Sequence, residues 1–209
     1  QIQYTNVMTI CREIFEKKTL DYGLSWRILR PSSLTDQLFI KAQRIRTIQE
    51  TGKNLVGESF EDAFQAIVNY CIMAIIQVRE PAGLQDTMQA QEAIARYHQI
   101  AAEAQALMER KNHDYGEVWR DMRVSSLTDL ILMKILRVKQ IEDNLGQTVV
   151  SEGVKANYQD MLNYSVFICL VFYLELPSLL YHFKVSWNVF QVPRRLRPCQ
   201  PLWQRPHQG

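Results

Sequence analysis

Strand-like alternation of apolar and polar residues is missing from this chain over any useful length, which excludes a sheet-based core and leaves an all-α class. Cysteine is scarce. Cys11, Cys71, Cys169 and Cys199 form no C-x-x-C pair and have no histidine nearby at ligand spacing, so neither a zinc site nor a disulfide framework is expected. Reduced thiols suit the cytoplasm, and no charged segment followed by an apolar one marks a secretory signal at the start of the sequence. Charge of one sign is also lacking. A formal net charge of +2, with the basic residues spread along the chain, carries no strong nucleic-acid signal, although a nucleotide-sized ligand stays open. The longest apolar run, Val166 to Leu174 continued by Leu176 to Tyr181, is broken by Glu175 and Pro177, so a buried helix is expected and no membrane span.

What the chain does have, it has twice. Lys18, Asp21, Tyr22, Gly23, Trp26, Arg27 and Arg30, then Ser32-Ser33-Leu34-Thr35-Asp36, Lys41 and Arg44, recur 93 residues later. The second set is Lys111, Asp114, Tyr115, Gly116, Trp119, Arg120, Arg123, Ser125-Ser126-Leu127-Thr128-Asp129, Lys134 and Arg137. Packing asks only for apolar residues of suitable volume, so polar and aromatic types kept in register point to a site in the repeated unit. Residues 1–80 and 81–174 are therefore read as two repeats. The segment 175–209 holds five of the seven prolines and is read as a tail outside the fold, a disordered or non-native extension ahead of a basic interaction tail.

Each repeat reads as three helices. The first spans about 6–20, with Ile10, Ile14 and Phe15 on one side, and Gly23 ends it; its counterpart runs from about 86 to 111 and stops before Gly116. Middle helices open at Ser33-Leu34-Thr35-Asp36 and Ser126-Leu127-Thr128-Asp129, where the serine is expected to cap and the aspartate to reach back, and they break at Gly52 and Gly146. The third helices, about 59–78 and 152–173, are apolar around most of their circumference in their last half and should be buried. Pro81-Ala82-Gly83 is too short a linker for independent domains, so the halves should pack as a pseudo-twofold bundle, with the fused pair standing in for a homodimer and further homo-oligomers left open.

Three clusters carry candidate chemistry. On the third helix Glu58, Asp62 and Asn69 share one stripe, and Glu152, Asp160 and Asn163 make a similar one; buried carboxylates need a partner, so Glu58, Asp62, Glu152 and Asp160 are candidate Mg²⁺ ligands. The alternative makes the glutamates dipole partners in an exposed first turn and lets the asparagines bond a neighbouring helix. The aspartate moves between copies, since Ala156 stands at the Asp62 position and Ala66 at the Asp160 position. On the middle helix Lys41 and Arg44, like Lys134 and Arg137, stand three apart on a face that can hold a phosphate, against the alternative of ion pairs to Glu58 or Asp62. Lys18 and Lys111 join them as phosphate-binding candidates. Tyr22 with Trp26, and Tyr115 with Trp119, either sandwich a base or fill the gap beside the next helix.

Taken together, Lys-x-x-Asp-Tyr-Gly, Ser-Leu-Thr-Asp, Lys-x-x-Arg and a final Asn-Tyr, twice between Cys11 and Tyr173, resemble the nucleotide modification associated domain family of Bacteroidetes and phage proteins. The resemblance implies a distant likeness to MazG-like all-α nucleoside triphosphate pyrophosphohydrolases, whose acidic clusters hold magnesium between adjacent helices. It further implies a nucleotide partner and a link to nucleotide or DNA-base modification. At the middle helix the chain departs from that pattern, with Lys41 and Arg44 where paired glutamates are expected, and with Ile40 and Met133 where phage-type members carry an aspartate. Three readings follow: a Mg²⁺-dependent pyrophosphohydrolase-like enzyme, a non-catalytic nucleotide-binding or scaffold module, and a structural bundle.

Overall fold

The computed structural model describes residues 2–82, 86–150 and 152–175. Six α-helices and no strand make up these residues: α1 Ile2–Tyr22, α2 Pro31–Thr51, α3 Phe60–Arg79, α4 Ala90–Tyr115, α5 Val124–Asp143 and α6 Val154–Glu175. A short 3₁₀ turn, Ser25–Ile28 or Val118–Asp121, follows the first helix of each repeat. The expected all-α tandem arrangement is therefore present. The proposed tail beyond residue 175 lies outside the described residues, as does Cys199. Among the described residues no helix is long and apolar enough to cross a membrane.

Expected helix ends hold to within a few residues, with one instructive exception. Gly23 closes α1 at φ +62°, its amide bonding Thr19 O at 2.9 Å, and Gly52 closes α2 in the left-handed region, where only glycine avoids a steric cost. The expected serine caps of the middle helices are corrected, because α2 starts at Pro31 and α5 at Val124, with Arg30 and Arg123 extended before them and no side-chain cap. Pro31, whose fixed φ and missing N–H suit the first helical position, moves the start of α2 upstream of Ser33. The Thr-Asp pair of each motif turns instead toward the other repeat.

That turn shows why the motif is duplicated. Asp36 pairs with Lys139 at 2.6 Å and Asp129 with Arg46 at 3.7 Å, and both aspartates and both cations are 93 residues apart. Thr35, fully buried, donates to Glu142 Oε1 at 2.8 Å and lies 2.7 Å from the Tyr158 hydroxyl; Thr128 accepts from Gln49 Nε2 at 3.1 Å. Leu34 and Leu127 fill the space beneath. Ser-Leu-Thr-Asp is thus largely the seam between α2 and α5.

Beneath that seam α3 packs on α6, and each also takes its own middle helix, which gives a central four-helix layer. Phe64, Ile67, Val68, Ile72 and Ile75 of α3 face this core with Tyr158, Met161, Leu162, Val166 and Ile168 of α6, all without exposed surface. The expected burial of the third helices is what the structure has, and burying each such side chain is worth about 1.5–3 kcal/mol. Helices α1 and α4 cross both α3 and α6. Asn69 donates to Cys11 O of its own repeat at 2.9 Å and accepts from Tyr97 of the other at 2.9 Å; Asn163 donates to Ala104 O at 3.2 Å and accepts from Tyr4 at 2.7 Å. Every member is buried, so each bond satisfies a group that water cannot reach. Of the two readings of the asparagines, bonding to a neighbouring helix is the one observed.

Candidate functional site

In the first repeat α1, the 3₁₀ turn, α2 and α3 converge on a cavity of about 540 Å³, within the range of small-molecule sites. Its walls include Lys18, Tyr22, Trp26, Lys41, Glu58 and Asp62, so six of the seven first-repeat candidates meet there. The amphipathic spacing of α1 delivers Ile14 and Phe15 to the floor and leaves Lys18 at the rim. Gly23 turns the chain at φ +62°, and three residues on, Trp26 lines the cavity. Sequence reasoning passed over Gln65 and Met73, which also line it and carried no signal beyond lying on α3; Tyr70, the tyrosine of the Asn-Tyr motif, lines it as well.

Charge around this cavity is unevenly committed. Glu58 takes Lys41 at 2.7 Å and Arg44 at 3.2 Å, and Arg44 also donates at 2.9 Å to Asn54 and to the Glu58 carbonyl. Asn54 receives the Gly57 amide at 3.2 Å and gives a bond to Glu58 O at 2.9 Å, so the loop between α2 and α3 is tied to the site. Arg44 therefore braces the wall that Lys41 lines. Ser59 caps α3 by accepting from the Asp62 amide at 3.0 Å, which sets the Asp62 side chain on the exposed first turn. Among the described residues no carboxylate lies within ion-pair distance of Lys18. Among the described residues the buried indole N–H of Trp26 meets no acceptor, and the same holds for Trp119.

The second repeat arranges the same residues differently. Asp160, almost fully buried, takes Lys111 on Oδ1 at 2.6 Å and Lys134 on Oδ2 at 2.7 Å. Desolvation pulls the Lys111 ammonium down, and the bond and charge of Asp160 outweigh it to leave its pKa raised. Trp119 stacks on Phe167, with ring centres 4.5 Å apart and planes 5° from parallel, and the Arg120 guanidinium sits 4.3 Å from its ring centre. Tyr115, Arg137 and Glu152 are exposed. A smaller cavity of about 330 Å³ borders this stacked pair, lined by Trp119 and Phe167 with Gln3, Tyr4, Glu109 and Asn112.

For a resident Mg²⁺ the donor set fits poorly. Both Glu58 oxygens already serve Lys41 and Arg44, and both Asp160 oxygens serve lysines, so a metal would have to displace the protein's own cations. Among the described residues no three of His, Cys, Asp and Glu gather as a metal site. Asp62 lines the first cavity, with no cation within ion-pair distance among the described residues.

The family model described as nucleotide modification associated domain 1 matches residues 18–78 and again 111–171, together more than half of the chain. The chain belongs to that family, in two tandem copies. No curated protein and no solved structure matches the chain.

Proposed function

We propose that this member of the nucleotide modification associated domain 1 family binds a nucleotide in the first-repeat cavity, with the second repeat as its scaffold. The observation that carries the reading is the gathering of Lys18, Lys41, Tyr22 and Trp26 round one cavity of nucleotide size. Lys18 and Lys41 take the phosphates as point charges, Tyr22 and Trp26 flank the base, and Arg44 holds Glu58 and the loop in place. Mg²⁺ would enter with the phosphates, where Asp62 offers a free carboxylate.

A binding module suits the committed carboxylates better than a hydrolase. The pyrophosphohydrolase reading, with its MazG-like ancestry, draws its support from Glu58 and Asp62 lining the same cavity as the lysines. Calorimetric titration with nucleoside mono-, di- and triphosphates, with and without Mg²⁺, decides between them when paired with an assay of pyrophosphate release. One equivalent bound without turnover, weakened roughly tenfold or more by Lys18→Ala or Trp26→Ala, is the expected result. Turnover lost in Asp62→Asn selects the hydrolase, and the absence of any nucleotide binding overturns both.

A further inference from the structure

Two residues of the second repeat do for its cleft what a ligand would do for the first. We propose that Asp160 and Phe167 are built-in stand-ins, so that in the first repeat the ligand's anionic group sits beside Ala66 between Lys18 and Lys41 and its planar ring lies on Trp26. This rests on the reading of the first cavity as a nucleotide site, and it adds where each part of the ligand lies and how long the ligand is.

Register makes the comparison direct. Lys18, Trp26 and Lys41 lie 93 residues before Lys111, Trp119 and Lys134, and Ala66 and Met73 lie 94 before Asp160 and Phe167. In the second repeat the Asp160 carboxylate is gripped by both lysines, at 2.6 and 2.7 Å, and the Phe167 ring stacks flat on the indole at 4.5 Å. In the first repeat Ala66 and Met73 line the cavity together with Lys18, Lys41 and Trp26. Shortening the aspartate to a methyl group removes the anion, and exchanging phenylalanine for methionine removes the flat ring. A carboxylate held by two ammonium groups models a phosphate oxygen pair, and a ring stacked on indole models a base.

The two stand-ins are seven residues apart on α6, two helical turns or about 10 Å of rise. That separation suits a base joined to the far end of a polyphosphate chain better than one joined to a single phosphate. The ligand class is therefore a nucleoside di- or triphosphate. In the second repeat Asp160 holds the anion position and Phe167 the ring position, and the cavity left beside them, about 330 Å³, excludes both lysines, so the chain takes one equivalent.

Titrations of the full chain with a nucleoside triphosphate, the matching monophosphate and inorganic triphosphate test this. Ala66→Asp places the second repeat's carboxylate between the first repeat's lysines and should weaken triphosphate binding by at least roughly a hundredfold, whereas the neutral Ala66→Asn should change it less than about fivefold. Met73→Phe should weaken the nucleotide about tenfold and leave inorganic triphosphate unchanged. Asp160→Ala with Phe167→Met should bind a second equivalent.

Retained nucleotide binding in Ala66→Asp, equal losses in Ala66→Asp and Ala66→Asn, or one equivalent in a folded Asp160→Ala, Phe167→Met chain overturns the assignment and leaves the cavity reading standing. A wild type that binds monophosphate as tightly as triphosphate overturns the ligand length. Inorganic triphosphate bound by the wild type and lost in Ala66→Asp, with nucleosides adding nothing, keeps the anion's place and overturns the nucleotide reading. No binding of any probe overturns both.

Discussion

Asp160 shows how much one buried carboxylate can be asked to do, since both of its oxygens neutralise lysines and one of those, Lys134, is itself buried. Taking the charge away leaves Lys134 without a counterion in a place water does not reach, and breaking such a pair costs about 3–5 kcal/mol. Asp160→Asn should therefore lower the unfolding free energy from urea titration by that order, and Lys111→Met should lower it far less, because the Lys111 side chain is half exposed. Equal effects from the two changes would mean that the three groups do not share the load this way. The tyrosine–asparagine bonds give a second test at the same scale. Asn69→Ala strips the acceptor from buried Tyr97 and the donor from Cys11 O, which should cost about 2–3 kcal/mol, whereas Tyr97→Phe removes one bond for about 1 kcal/mol. Because Asn163 and Tyr4 repeat the arrangement, Asn163→Ala should match Asn69→Ala within the scatter of such measurements.

At the scale of the element, the seam between α2 and α5 is nearly symmetric in charge except at one position. Gln49 of α2 and Glu142 of α5 are 93 residues apart, each reaching a threonine of the other repeat. Burial raises the Glu142 carboxyl above the usual range, and the hydrogen bonds from Thr35 and Tyr158 only partly counter it. A carboxyl raised on folding binds its proton more tightly in the native state, so this site gives up stability as pH climbs from the ordinary glutamate range through the raised value. Glu142→Gln, which copies the first repeat, should accordingly be more stable than the parent at neutral pH, with the gap closing toward pH 4 in thermal melts. An advantage that grows on acidification would reverse the sign and sink the argument.

Elements were also where the sequence could be read most fully and where it misled. Helical period and the glycine stops located all six helices, because an apolar face and a left-handed terminator are local requirements. The Ser-Leu-Thr-Asp motif read as a cap because its chemistry is that of a cap; only the partner helix, far away in sequence, shows Thr35 and Asp36 spent on the seam. Ser59 caps α3 in the ordinary way, so Ser59→Ala should cost about 1 kcal/mol and loosen the turn that carries Asp62. Six candidates of the first repeat meet because α1, the 3₁₀ turn, α2 and the start of α3 converge on a common hollow, whereas spacing told only which residues share a helix face. The matching fate of the second set was not legible, since it turns on Asp160 and Phe167 filling space that Ala66 and Met73 leave open.

Over the whole molecule, the largest single helix pairing, α3 on α6, joins the repeats, and the third helices carry their own middle helices on either side of it. α3 lies on α6, α2 on α5, and α1 and α4 each cross to the other repeat's third helix. A single repeat would present Phe64, Ile67, Ile72 and Ile75 to water along with the unmet ends of the tyrosine–asparagine bonds, which a chain of about eighty residues has little core to offset. Each half should then be poorly ordered alone. Separate chains covering 1–82 and 86–209 should fold on mixing into a one-to-one complex, because the seam is self-complementary and the charged pairs Asp36–Lys139 and Asp129–Arg46 lie across it. Heteronuclear spectra of a labelled first half, recorded with and without the unlabelled second, check this directly. Dispersed amide signals from the half alone, unchanged by its partner, would show that the repeats are independent units and that the cross-repeat bonds are incidental to the fold. Collapse into sharp, dispersed signals only on mixing is the expected outcome. The same sample then carries the functional question, since the first-repeat cavity is lined wholly by residues of the first half, yet Asn69 in its wall is held by Tyr97 of the other. Nucleotide binding should therefore appear with complementation and not before it.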